Sequence, residues 1–208
     1  MSTAGPNSPG TAADNAASGS VAWTNPGNIT ADDANYATCN ITSSSTHLLA
    51  ARNFGFAIPA GSTINGITIT HKGKVASGTG NMTSGPTSDA TGGSYDGVSN
   101  GYTLTTTETT FTIGGASTLF GASWTTSQVN GVNFGCFNQS SGASQTANIS
   151  INYTTMSITY TVASGYINLP LLGVGLINTL IHGLTLGLCS WRWRPFTRTQ
   201  TRTAGVMA

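Results

Sequence analysis

The sequence predicts an all-β protein, an antiparallel β-sandwich with a jelly-roll-like arrangement of about eight strands. Three observations indicate this class. Apolar residues alternate with polar ones along several segments, as in strands that bury one face. Gly, Pro, Asn and Asp separate these segments at short intervals, as in the turns between strands. No helical period occurs before residue 165.

The alternation is clearest on the two sides of a Pro-Ala-Gly turn near the centre of the chain. Phe54, Phe56 and Ile58 precede this turn at every second position. Ile67 and Ile69 continue the same period after it. Two strands joined by a short turn explain this pattern, with one face packed on a core and the other in water.

Later segments repeat the period over residues 102–113, 129–137 and 148–162. The last of these is the longest strand signal. Its phase slips between Tyr153 and Met156, which predicts a β-bulge or short break at Thr154-Thr155.

Composition divides the chain into three parts. Residues 1–20 are rich in Gly, Pro, Ala, Ser and Asn and predict an extended N-terminal arm. Residues 21–164 form the predicted sandwich domain. Residues 165–208 form an apolar C-terminal anchor or oligomerisation segment with a basic tail.

Charged residues are few and unevenly distributed. They make up 6% of the chain, against about 25% in typical soluble proteins. All six acidic residues precede residue 109, whereas four of the seven basic residues follow residue 190. The tail is therefore expected to have a partner of its own.

The segment 166–190 carries no charge and has leucines at every fourth position, which predicts a helical apolar stripe. Two interpretations fit it: a transmembrane helix of about 20 residues with an interfacial belt, or an anchor buried in protein. We favour the buried anchor. The candidate anchor residues are Leu172, Leu176, Leu180, Leu184, Leu188, Trp191, Arg192, Trp193 and Arg194.

Residues that could support catalysis or metal binding are scattered. His47, His71 and His182 lie far apart, without ligand spacing around them. Asp32-Asp33 with Asn35 is a candidate cation site, although a turn capped by the Asp side chains is the favoured interpretation. We therefore predict no catalytic residues, no metal and no cofactor.

Aromatic residues are candidates for a sugar-binding platform. Trp23 and Trp124 are expected in the core, because large aromatic side chains fill sandwich interiors. Tyr36 and Tyr102 are further members of the set. Tyr95 lies in a Gly-rich segment and is the candidate receptor contact.

The cysteines give no metal signature and no disulfide framework, because Cys39, Cys136 and Cys189 are odd in number and widely spaced. Whether Cys39 and Cys136 are bridged or simply buried stays open at this point.

Several short pieces, in order, resemble a sandwich module that recurs in tailed-phage structural proteins and bacterial surface proteins. They span residues 8–162, and the resemblance implies a virion or cell-surface structural role without catalytic residues. The pieces are Ser8-Pro9-Gly10-Thr11-Ala12, Trp23-Thr24-Asn25-Pro26, Asp33-Ala34-Asn35-Tyr36-Ala37, Asn53-Phe54-Gly55-Phe56, Ile58-Pro59-Ala60-Gly61, Ile64-Asn65-Gly66-Ile67, Phe120-Gly121-Ala122-Ser123-Trp124, Asn133-Phe134-Gly135 and Ile158-Thr159-Tyr160-Thr161.

We therefore predict a non-enzymatic structural protein of a bacteriophage virion, such as a capsid decoration or cement protein, a head fibre or a tail accessory protein. Its expected partners are other virion proteins and further copies of the chain, with a trimer favoured. The start of the chain has no signal-peptide features, which favours synthesis in the host cytoplasm.

Two alternatives remain. The first is a receptor- or carbohydrate-binding surface module that binds a host glycan. The second is a viral spike anchored in a membrane through residues 166–190. Nucleic acid is not an expected partner.

Overall fold

The computed structural model describes residues 1–89, 93–140 and 146–163, which lie in a compact unit spanning Met1–Tyr166. Two five-stranded antiparallel sheets account for most of these residues. The first sheet contains β1 (Ser2–Asn7), β3 (Ala37–Thr42), β5 (Thr63–Gly78), β8 (Thr109–Gly114) and β10 (Thr146–Thr161). The second contains β2 (Thr11–Asn15), β4 (Leu48–Arg52), β6 (Gly80–Thr87), β7 (Asn100–Leu104) and β9 (Gly135–Ser140).

The predicted antiparallel sandwich is confirmed, with ten strands in the described residues where the sequence predicts about eight. Helical structure there is limited to a 3₁₀ helix (Pro26–Thr30) and a single turn, α1 (Thr126–Val129). A capping box closes the start of α1, because the side chains of Thr125 and Gln128 each accept from the other's backbone N–H.

Strand β10 organises the first sheet. One of its edges pairs with β5 over nearly its whole length. Its other edge pairs with β3 near the start of the strand and with β1 near the end. The second sheet has the order β2-β4-β9-β6-β7. Between the sheets lies one core cluster, to which β5 and β10 contribute Ile67, Ile69, Ile149, Ile151, Met156 and Ile158, and the second sheet contributes Leu49, Ala51, Met82 and Cys136.

The N-terminal segment differs from the predicted arm. It is extended, but β1 pairs with β10 of the first sheet and β2 pairs with β4 of the second. Only Ala4 and Ala12 of these strands pack against the core. The sandwich therefore begins near Ser2 rather than at residue 21, and backbone pairing, more than apolar burial, attaches this segment.

The phase slip in β10 lies slightly earlier than predicted. The register with β5 shifts between Ile151 and Tyr153, not at Thr154-Thr155. Tyr153 is half-exposed, whereas Thr154 is fully buried. The sequence pattern is misleading here because the inward position is filled by a threonine whose hydroxyl is paired with His71.

Cys39 and Cys136 are free thiols in the described structure, buried in β3 and β9 of different sheets. Cys189 and the predicted anchor residues lie outside the described residues. Within the described ranges, no helix has the length and apolar character needed to span a membrane.

Candidate functional site

The predicted aromatic candidates are mostly internal. Trp23 and Trp124 are buried in the core, as expected, and each indole N–H donates to a backbone carbonyl. Tyr102 is stacked on the ring of His71, with centroids 5.4 Å apart. Tyr36 is half-buried, with the Lys74 ammonium 4.6 Å from its ring centroid. None of the four is a freely exposed platform.

Tyr95 is also held against the protein rather than projecting from a loop. Its ring packs edge-to-face on Phe137, with centroids 6.0 Å apart, in a small cluster with Leu48 and Ala50. Burial raises the pKa of its hydroxyl. This cluster lies on the outer face of the second sheet, and the role of Tyr95 as a receptor contact stays a prediction.

A lysine–carboxylate cluster, formed by Asp32, Lys72, Glu108 and Asn152, lies on the first sheet. The Lys72 ammonium is 2.8 Å and 3.0 Å from the two Asp32 oxygens and 3.5 Å from Glu108 Oε2. The Asn152 amide donates to Asp32 at 2.8 Å and to Glu108 at 3.1 Å. These contacts, chiefly the one with Asp32, raise the pKa of Lys72. The cluster fastens the Asp32 segment to β5 and β10.

The candidate cation site at Asp32-Asp33 is accordingly occupied by other contacts. Asp33 accepts from the backbone and the side-chain amide of Asn35, which lowers the pKa of its carboxyl. This is the capped turn that the sequence favours. Asp32 is engaged by Lys72 and Asn152. Within the described ranges, no three His, Cys, Asp or Glu residues are placed to share a metal ion.

A concave site lies on the outer face of the second sheet. It is a groove of about 660 Å³ over β2 and β4, closed on one side by the turn that precedes β9. Ala13 and Ala50, partners in the β2–β4 ladder, form its floor. Its remaining lining residues are Thr11, Asp14, Asn15, Ala16, Arg52, Asn53, Val132 and Asn133.

Two Asn-Phe-Gly tripeptides present amides at this groove. In each, at residues 53–55 and 133–135, the phenylalanine is buried and the asparagine is exposed. The Asn53 backbone N–H donates to the Phe134 carbonyl at 3.1 Å, which holds the two tripeptides side by side. Asn53 has φ 58°, a left-handed conformation that asparagine tolerates better than most residues.

Arg52, at the last position of β4, lines the groove, and its guanidinium is directed toward β9, on the side of β4 away from β2. Its guanidinium lies 5.2 Å from the ring centroid of Phe137, and Nη1 donates to the carbonyl of Asp89. Stacking on an aromatic face and a backbone hydrogen bond together restrict this side chain, so its position is largely set before any ligand arrives.

The carboxylate of Asp14 is held by groups outside the groove floor. Its Oδ2 lies 2.8 Å from His47 Nδ1, and its Oδ1 accepts the backbone N–H of Trp23 at 2.8 Å. Because neighbours along a strand point to opposite faces, the Asp14 side chain diverges from Ala13 on the groove floor. Among the described contacts of the His47 ring, none is a hydroxyl or thiol.

Sequence reasoning missed this groove because three separate segments, residues 11–16, 50–53 and 132–133, build it. The signal that was present is the repeated Asn-Phe-Gly tripeptide, in which a core aromatic fixes an adjacent amide at the surface. Three of the pieces that carry the phage-module resemblance meet here, since Gly10 N–H donates to the Asn53 carbonyl at 2.9 Å and Asn53 N–H to Phe134.

No family model and no curated protein matches this chain. Two solved structures of carbohydrate-binding modules are similar in shape. "BiXyn10A CBM1 APO" has a TM-score of 0.39 and 12% identity, over 72% of this chain and 98% of that one. "CBM4 structure and function" has a TM-score of 0.39 and 10% identity, over 70% of this chain and 92% of that one. At this degree of similarity, neither structure carries an argument about what this chain binds.

Proposed function

We propose that this chain is a non-catalytic, carbohydrate-binding surface module whose sugar site is the groove on the second sheet. One observation carries the proposal: exposed amides of Asn53 and Asn133 border a small apolar floor in a concave site. A sugar ring has an apolar C–H face and an edge of hydroxyls. The side chains of Ala13 and Ala50 can pack against the apolar face of the sugar. The amides of Asn53 and Asn133 can form hydrogen bonds with its hydroxyls, since each amide both donates and accepts.

The surroundings of the groove favour binding over hydrolysis. Glycoside hydrolysis ordinarily uses two carboxyl groups, one on each side of the scissile bond. Asp14 is the acidic residue in the described lining, and both of its oxygens are engaged by Trp23 and His47. A single carboxylate whose two oxygens already contact other protein groups is expected in a binding site rather than in the active site of a hydrolase.

The affinity is expected to be weak. The described lining offers alanine, valine, amide and hydroxyl groups but no exposed aromatic ring for a sugar to stack on. We therefore expect a Kd of about 1 mM for a short oligosaccharide, equivalent to about −4 kcal/mol. Several copies displayed together would raise the effective affinity.

Glycan binding is compatible with display on a virion, and the virion location, the trimer and the C-terminal anchor stay predictions from the sequence. A test of the anchor compares full-length protein with a 1–165 truncation for binding to particles that lack the protein. Liposome partition of the full-length chain would favour the transmembrane interpretation instead.

Binding itself is tested with a glycan array, followed by NMR titration of the ¹⁵N-labelled chain. Asn133→Ala and Asn53→Gly should each weaken binding about tenfold, as expected when one or two hydrogen bonds to the ligand are lost. Thr110→Ala, an exposed change on β8 of the other sheet, is the matched control and should leave binding unchanged. Shifts that map to the first sheet, or no glycan binding at all, would overturn the proposal.

A further inference from the structure

The charge of the groove comes mainly from one residue. The described chain has three basic side chains, and two of them, Lys72 and Lys74, lie on β5 of the first sheet. Arg52 is therefore the basic residue of the second sheet within the described ranges. Apart from Asp14, whose oxygens both accept hydrogen bonds, the other lining residues are neutral. Asp89, an acidic residue beside the groove, contacts Arg52 through its backbone carbonyl and has a further contact of its own.

The geometry of Arg52 suits an anion with two oxygens. A guanidinium has five N–H donors in a planar fork, and the contact with the Asp89 carbonyl uses one of them. Paired N–H groups match the two oxygens of a carboxylate, and such pairs are stronger than neutral hydrogen bonds. The Phe137 ring beneath the guanidinium limits its motion, so less conformational entropy is lost when a ligand binds.

We propose that the groove selects acidic sugars of the uronic-acid class, with the ligand carboxylate on Arg52 and the sugar hydroxyls on Asn53 and Asn133. This inference rests on the proposed carbohydrate-binding function and adds the class of ligand to it. Arg52 sets the preference for the acid, whereas the two amides supply binding that acidic and neutral sugars share.

The experiment uses the full chain and a matched pair of ligands. One is a uronic-acid oligosaccharide, and the other is the same oligosaccharide after reduction of its carboxyl groups to the neutral sugar. Titration calorimetry or NMR at low salt should give at least tenfold tighter binding of the acidic form. Added salt should narrow this difference, because a partly exposed ion pair is screened.

Variants separate the two roles. Arg52→Gln should bind both forms equally, at the affinity of the neutral form, and Arg52→Lys should retain part of the preference. Asn133→Ala should weaken both forms by the same factor. A circular dichroism melt of each variant checks that it folds. If Arg52→Gln does not fold, the reduced preference of Arg52→Lys for the acidic form tests the inference instead.

The outcomes are distinguishable. Equal binding of the two forms by the wild type, or an unchanged preference in Arg52→Gln, would overturn the acidic-sugar inference and leave the carbohydrate-binding function in place. Binding of neither form would overturn both. Competition by acetate at equal molarity would show a general carboxylate site and would also overturn the inference.

Discussion

The Nε2 atom of His71 lies 3.0 Å from the hydroxyl oxygen of Ser84, and this hydrogen bond joins the two sheets through the core. His71 lies on β5 of the first sheet and Ser84 on β6 of the second. Both side chains are fully buried. A polar link of this kind favours one alignment of the sheets, because any shift would leave a buried polar group without a partner.

The contacts around His71, with the Asn138 amide oriented as in this structure, predict its tautomer. Tyr102 donates to Asn138 Oδ1 at 3.3 Å, which orients that amide with its nitrogen toward His71 Nδ1, also at 3.3 Å. An amide nitrogen only donates, so Nδ1 accepts and the proton resides on Nε2. His71 then donates to Ser84, and the Thr154 hydroxyl, 2.9 Å from Nδ1, is a second donor to that atom.

Acid should destabilise the fold through His71. Burial lowers its pKa from 6.5 to about 3, so the unfolded chain takes up a proton that the native state excludes. Neutral His71 stabilises the native state, and this contribution to the free energy of unfolding is fully present above pH 6.5. It declines as the pH falls from 6.5 toward 3 and does not change further below pH 3. The expected slope is about 1.4 kcal/mol per pH unit, so roughly 2 kcal/mol is lost by pH 5.

Urea unfolding at a series of pH values measures this slope. His71→Gln should remove it, and His47→Gln, which changes the other described histidine, should retain it. A long-range ¹H–¹⁵N NMR experiment should show His71 neutral and protonated on Nε2 at pH 5. A His71 ring that titrates near pH 6.5 would contradict the assignment.

The sandwich could be predicted because its central strands bury apolar side chains at every second position, as Ile67 and Ile69 of β5 do. The segment before the Pro-Ala-Gly turn is not a strand as predicted: Phe54 and Phe56 are buried, but β4 ends at Arg52 and β5 begins at Thr63. The first two strands could not, because β1 and β2 bury little more than Ala4 and Ala12. Their pairing is a property of the backbone, which an apolar pattern does not reveal. In the same way, buried Thr154 breaks the alternation of β10 because its partner is His71, a polar side chain from another strand.

The groove could not be predicted from the sequence for a different reason. Its two asparagines are eighty residues apart in the chain and meet only because β4 and β9 pair. Tyr95 was identified from a Gly-rich context that predicts exposure, yet Phe137 provides a surface on which the ring packs. Composition describes a segment by itself, whereas exposure depends on the strand it is packed against.

Deletion of residues 2–15 should abolish cooperative folding. The deletion exposes the edge of β10 that pairs with β1 and the edge of β4 that pairs with β2. A truncation after residue 165 should instead retain the cooperative transition, since the core of the Met1–Tyr166 unit is preserved. Thermal melts followed by circular dichroism test both variants. A stable 16–208 fragment would support a detachable arm and contradict the fold described above.

Asn53→Ala should destabilise the protein by about 1–2 kcal/mol, because alanine tolerates a left-handed backbone poorly. Asn53→Gly should be close to neutral, since glycine adopts this conformation without strain. Asn133→Ala, a matched change on the other tripeptide, should also be nearly neutral because Asn133 is exposed and is not among the residues with positive φ. Urea unfolding of the three variants provides the comparison, and equal stability of Asn53→Ala and Asn53→Gly would argue against a strained backbone.

Cys39 and Cys136 should be unreactive in the native protein. Burial raises the pKa of the Cys39 thiol to about 11 and that of Cys136 to about 12, so neither is ionised at pH 8. In a Cys189→Ser variant, a thiol-specific reagent such as DTNB should label no cysteine under native conditions and both cysteines in denaturant without reductant. Rapid native labelling would contradict the buried placement. Absence of labelling in denaturant would instead indicate a disulfide, which would require β3 and β9 to approach each other from opposite sheets.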